Sequence, residues 1–117
     1  MPTSATRTTT ISYSGDVNGS ETLPAAANAS TPASITIHSL SIGDNTITVP
    51  TGGSTVKGAT IVPPAGNAQT ITLKGVGADT GIPLSKVDHT SLGFDTAPAN
   101  FVLNAGGVIN GLRIMWT

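Results

Sequence analysis

The chain has 117 residues, of which only 9% are Asp, Glu, Lys or Arg, against about a quarter in an ordinary soluble domain. Its net charge is −1 and its five basic residues, Arg7, Lys57, Lys74, Lys86 and Arg113, are scattered, which excludes the clustered positive patch that nucleic acid or an anionic membrane surface requires. Cysteine is absent, so a disulfide scaffold and a thiolate metal site are excluded as well.

This length suits one domain with one core. With one Trp, one Tyr and two Phe in a chain that is 38% hydrophobic, that core must be built from Ile, Val and Leu. The surface is left to Thr, Ser, Asn, Ala and Gly, short side chains that lose little rotamer entropy when another surface covers them. Such a surface suits a subunit of an assembly. The first residues, MPTSATRTTT, lack the apolar region of a signal peptide, and no apolar run is long enough to span a bilayer. If the protein ends up outside a cell, exit through lysis or a dedicated machine is expected.

Residues 1–33 read as an extended N-terminal arm, because Ile11, Val17 and Leu23 are the only large aliphatics among many Thr, Ser, Ala and Asn. These are too few to form a core. Thr8 to Ser14 suits one strand, and Leu23 to Ser30 suits a short helical turn entered at Pro24. A neighbouring surface is expected to order the arm, with Thr8–Ser14 adding as a strand to the edge of an adjacent subunit.

Residues 34–117 read as a β-sandwich domain. Ile35 and Ile37 alternate with Ser34, Thr36 and His38; Ile47 and Val49 alternate with Thr46 and Thr48; Ile71 and Leu73 alternate with Thr70 and Thr72, the period of strands with one dry face. Gly43-Asp44-Asn45 and Pro63-Pro64-Ala65-Gly66-Asn67 carry turn chemistry, and loops this short predict antiparallel neighbours. Phe101-Val102-Leu103 and Val108-Ile109 flank Asn104-Ala105-Gly106-Gly107. After Asn110-Gly111 comes a last strand on which Leu112, Ile114 and Trp116 share a face. No window has helical periodicity, and no repeat has a fixed period. The expected architecture is all-β: an antiparallel β-sandwich or jelly-roll-like barrel of about eight short strands with an extended N-terminal arm. The expected core is Ile35, Ile37, Ile47, Val49, Ile61, Ile71, Leu73, Phe101, Leu103, Leu112 and Ile114, with Thr36, Thr48 and Thr72 facing solvent.

The segments that resemble chemical motifs read as structure. Asp79-Thr80-Gly81 matches the Asp-Thr-Gly of aspartic proteases but follows a glycine run, Gly75-Val76-Gly77-Ala78, instead of a hydrophobic strand; Asp79 is expected to accept from local backbone in a turn. The hydrophobic-hydrophobic-Gly element of that family is broken at Ile109-Asn110-Gly111 by an amide. Asp88 and His89 are adjacent and would point to opposite sides of an extended chain. The two histidines, His38 and His89, lack metal-ligand spacing, and His38 is expected on a solvated polar face. Gly75-x-Gly77 has Thr80 where a dinucleotide loop needs its third glycine. The triplets Asn18-Gly19-Ser20 and Asn28-Ala29-Ser30 match the N-glycosylation pattern by chance in an Asn- and Ser-rich arm. No catalytic residue, cofactor or metal site is expected.

Taken together, the Cys-free β domain of low charge, the Thr-rich arm, the stretches Leu73-Lys74-Gly75-Val76 and Gly111-Leu112-Arg113-Ile114, and the closing strand Leu112-Arg113-Ile114-Met115-Trp116 resemble the small all-β accessory proteins of tailed bacteriophage virions, in particular capsid decoration or cement proteins. That resemblance implies a non-enzymatic protein on the capsid surface of the virion. It would be a homo-oligomer, a trimer, bound to the major capsid protein of the same virion and bracing neighbouring capsomers. Thr8, Thr10, Ile11, Tyr13, Arg113 and Trp116 are its expected contact residues. The alternatives are a tail or fibre component and a glycan-binding adhesion module, for which only Tyr13, Phe94, Phe101 and Trp116 could offer an aromatic platform, with Phe101 and Trp116 read as core or interface residues.

Overall fold

The computed structural model describes residues 3–16, 18–23, 28–30, 35–50 and 56–117, and the regular elements among them are all β-strands. They are β1 (Thr3–Ala5), β2 (Thr9–Tyr13), β3 (Gly19–Leu23), β4 (Asn28–Ser30), β5 (Ile35–Leu40), β6 (Gly43–Thr48), β7 (Gly58–Val62), β8 (Ile71–Lys74), β9 (Ile82–Leu84), β10 (Thr90–Gly93), β11 (Asn100–Ala105) and β12 (Ile109–Trp116).

The last eight strands make two antiparallel sheets, ordered β10-β7-β12-β5 and β6-β11-β8-β9. Only β8 and β9 are both consecutive and paired; every other connection from β5 to β12 passes from one sheet to the other. The pairs nest, β5–β12 and β6–β11 outermost, β7–β10 and β8–β9 innermost, and this winding is that of an eight-stranded jelly roll. The expectation that short loops join antiparallel neighbours is thus corrected. A loop of a few residues spans the roughly 10 Å between packed sheets as readily as it turns back within one.

The core lies between the sheets. Phe101 on β11 and Trp116 on β12 hold their ring centroids 6.0 Å apart at 53°, a tilted contact between aromatics that joins the two sheets. Ile47, Val49, Ile61, Ile71, Leu103, Leu112 and Ile114 are buried around it, together with Leu40 and Ile109, and Leu73 packs on the margin.

Two predicted core residues are not there. Ile35 and Ile37 are 58% and 71% exposed, while Thr36, His38 and Leu40 turn inward. The parity of β5 is fixed by Leu40, which is buried opposite Ile109, and in a strand every second residue must follow it. The strand therefore carries apolar side chains on its outer face, and alternation alone assigned them to the wrong side. Thr48 is exposed as expected, whereas Thr72 is half-buried.

One turn assignment and the start of the last strand also change. Gly43-Asp44-Asn45 opens β6, and the chain reverses before it, where the Asn45 side chain accepts from Ser41 N at 3.0 Å and donates to Ser41 O at 2.9 Å. Asn110-Gly111 lies within β12, where Gly111, at φ 84°, is an extra residue against β5. This bulge puts both Ile109 and Leu112 on the buried face.

In the arm, β2 pairs with β3 and, outside them, β1 pairs with β4, so the single strand expected at Thr8–Ser14 is one side of a hairpin. The helical turn expected from Leu23 to Ser30 gives way to strand at Leu23 and at Asn28–Ser30; Pro24, Val17 and Ser34 lie outside the described residues.

Candidate interaction surface

The β2–β3 hairpin is exposed on both faces throughout. Its turn is closed by Asn18, whose side chain accepts from Gly15 N at 3.1 Å and donates to Gly15 O at 2.8 Å, with Gly15 in the left-handed region at φ 105°. Register partners are Thr9–Leu23, Thr10–Thr22, Ile11–Glu21, Ser12–Ser20 and Tyr13–Gly19. Alternation along each strand gathers Thr9, Ile11, Tyr13, Leu23 and Glu21 on one face and Thr10, Ser12, Ser20 and Thr22 on the other, where Thr10 and Thr22 hydrogen-bond at 2.9 Å. The hairpin is amphipathic. Glycine at 19, opposite Tyr13, leaves that ring uncovered.

The root of the hairpin is tied to the jelly roll by Arg7. Its Nη1 donates to the carbonyl of Leu92, and the guanidinium lies against Gly58 and Gly93, which face each other across β7 and β10. A Cβ on Gly58 would come within 2.9 Å of both Arg7 Nη1 and Leu92 O, and one on Gly93 within 3.1 Å of Arg7 Nη2. Two small residues thus make the groove that this side chain occupies.

The outer face of the β10-β7-β12-β5 sheet is a second surface with apolar character. Met115 stands beside Ile35 and Thr60, and Arg113 beside Ile37 and Val62. Ile35, Ile37 and Met115 are exposed, as is Arg113. β5 is an edge strand without a Lys, Asp, Glu or Pro, the residues that usually protect such an edge; β9, the edge of the other sheet, contains Pro83.

Of the predicted contact residues, Thr8 is exposed just before β2, Thr10 is on the hydroxyl face of the hairpin, Ile11 and Tyr13 are on its apolar face, and Arg113 is on the outer sheet face. Trp116 is 1% exposed and belongs to the core. Sequence reasoning missed Glu21, Leu23, Ile35, Ile37 and Met115. The turn signal Gly15-Asp16 with alternation on both sides of it would have given the hairpin and, with it, Glu21 and Leu23.

Inside the sandwich, the Trp116 indole N–H donates to Thr36 Oγ1 at 2.9 Å, and Thr36 Oγ1 lies 2.7 Å from His38 Nε2. Burial lowers the pKa of His38, which is therefore not the solvated histidine expected. His89 is exposed in the loop before β10. Asp79 Oδ2 accepts from Gly75 N at 3.0 Å and Val76 N at 2.9 Å, closing the glycine turn. Asp44 accepts from Asn104 at 2.8 Å and from Lys74 at 3.1 Å; both contacts hold its carboxyl below the ordinary range, the Asn104 hydrogen bond foremost. A cleft of roughly 490 Å³ opens between the sheets, lined by Leu73, Ile82, Leu92, Phe94 and Phe101 with Lys74 and Asp79 at its rim. No protein-family model, curated protein or solved structure matches the chain.

Proposed function

We propose that this chain is a structural protein of a tailed-phage virion, a capsid decoration protein that binds the outside of the head through the major capsid protein and acts by contact, without catalysis. The observation that carries the reading is the β2–β3 hairpin, an amphipathic ribbon held out by Arg7 with both faces exposed. A two-stranded ribbon is marginal alone in water, so its natural state is docked. The low-charge, Thr-rich surface and the jelly roll, a fold that recurs in viral capsid and lectin domains, support the same reading by analogy. Three copies in a closed ring would bury such surfaces on every subunit.

Mass spectrometry of purified particles from the phage that encodes the chain, with antibody labelling under the electron microscope, tests this. The chain should be found in particles and the label on the head. Its absence from washed particles, or label confined to tails, overturns the decoration role.

The cleft favours one second reading, a glycan-binding module, because half-buried Phe94 and two charged groups meet there. Trp116 is buried and supplies no sugar platform. Binding on a glycan array that is lost in Phe94→Ala, with the melting temperature kept, would move the assignment to this class.

A further inference from the structure

We propose that the apolar face of the β2–β3 hairpin seats on the outer face of the β10-β7-β12-β5 sheet of a second copy of this chain, with Glu21 of one copy pairing with Arg113 of the other. The inference deepens the assembly role above, since it rests on the hairpin being a docking element, but it does not require a virion.

The two surfaces match in chemistry and spacing. On the hairpin, Glu21 has Ile11 across the strand pair and Leu23 two residues along. On the sheet, Arg113 has Ile37 and Val62 across its two strand pairs and Met115 two residues along. Two residues along a strand is roughly 6.5 Å in either case, so a carboxylate set among aliphatics meets a guanidinium set among aliphatics at the same step. Each charge lacks an ion-pair partner among the described residues, where the one salt bridge joins Lys74 to Asp44. A lone charge within each apolar patch selects its opposite and fixes register.

The seat lies on another molecule. In the folded chain Arg7 already holds the hairpin root at Gly58 and Gly93, on the β10 side of the sheet, while Ile37 remains 71% exposed and Tyr13 60% exposed. Donor and acceptor patches differ, so the contact runs head to tail and suits a closed ring or a reciprocal pair.

Sedimentation equilibrium and native mass spectrometry of the full chain at micromolar concentration test the proposal. Wild type should be oligomeric. Glu21→Arg and Arg113→Glu, both exposed and checked for unchanged circular dichroism, should each weaken assembly by at least about tenfold. The double variant should assemble again, and an equimolar mixture of the two single variants should form mixed oligomers, which a hairpin folded onto its own sheet could not produce. A monodisperse wild-type monomer, single variants that assemble normally, or a mixture that stays monomeric overturns the seat. The virion test is independent. A chain found on heads yet monomeric in solution removes only the seat, and an oligomer absent from particles removes only the virion role.

Discussion

The Trp116 indole N–H ends on the hydroxyl of Thr36, 2.9 Å away on the neighbouring strand. Because Trp116 only donates, Thr36 Oγ1 accepts there, and the same hydroxyl lies within hydrogen-bond distance of His38 Nε2 at 2.7 Å. One hydroxyl thus satisfies two ring nitrogens. Thr36→Val keeps the shape and removes the relay, leaving the buried indole N–H without a partner, a loss of about 1–3 kcal/mol. Urea unfolding should show it, while Thr48→Val, on the exposed face of β6, should change stability by less than about 0.5 kcal/mol.

Acidification should act through His38 before it acts through the carboxylates. Burial lowers the pKa of His38, so below about pH 6.5, the value for an unperturbed imidazole, the unfolded chain binds a proton that the folded chain resists. Stability then falls as pH drops through that value, levels off below the folded pKa, and is unaffected by this group at higher pH. His38→Gln should flatten that part of the profile. Asp44, whose pKa is lowered by Asn104 and Lys74, contributes in a lower window: its contribution is present above about pH 4 and is lost as pH falls through its folded pKa. Stability profiles of wild type and His38→Gln that coincide between pH 7 and 5 would rule out the histidine effect.

Parity on β5 gives a prediction opposite to the one that alternation suggests. Ile37→Ala removes a side chain from the surface and should cost an isolated monomer less than about 1 kcal/mol, whereas Leu103→Ala or Ile114→Ala, both fully buried, should cost about 2–5 kcal/mol. Comparable losses at Ile37 and Leu103 would mean that the inner and outer faces of β5 are exchanged.

The strands were legible wherever a run of alternating residues had one polar and one apolar set, as at Ile47–Val49, Ile71–Leu73 and Leu112–Trp116. β5 was not, because Ile35 and Ile37 are apolar for the sake of an outer face and Leu40, two strand positions beyond His38, holds the opposite parity. An exposed apolar face imitates a core in a one-dimensional pattern. The sheet order was equally hidden, since loops that cross between sheets and loops that form hairpins share length and composition. The hairpin was half visible: Thr8–Ser14 has the β-branched and aromatic residues of a strand, but its partner Gly19–Leu23 has a glycine and a glutamate in their place.

Removal of the arm should separate folding from assembly. Among the described residues, those that form the core all lie at or beyond Leu40, and the hairpin's ten strand residues contribute none of them. Among the described residues the two are tied by the Arg7 contact with Leu92 O and the glycine groove, a half-buried hydrogen bond from a charged group worth roughly 1.5–3 kcal/mol. Deleting residues 1–33 should therefore lower the melting temperature of the non-assembled domain by no more than about 20 °C, while oligomers are lost. Hydrogen exchange on the full chain reports the same division. The amides of Ile11 to Tyr13 sit in a ribbon with no buried face, so they should exchange quickly in a dilute monomer, as expected of low-stability regions, and slowly once assembled. Strong protection of these amides in a demonstrated monomer would make the hairpin an intrinsic part of the fold, and its role as a docking element would then be withdrawn.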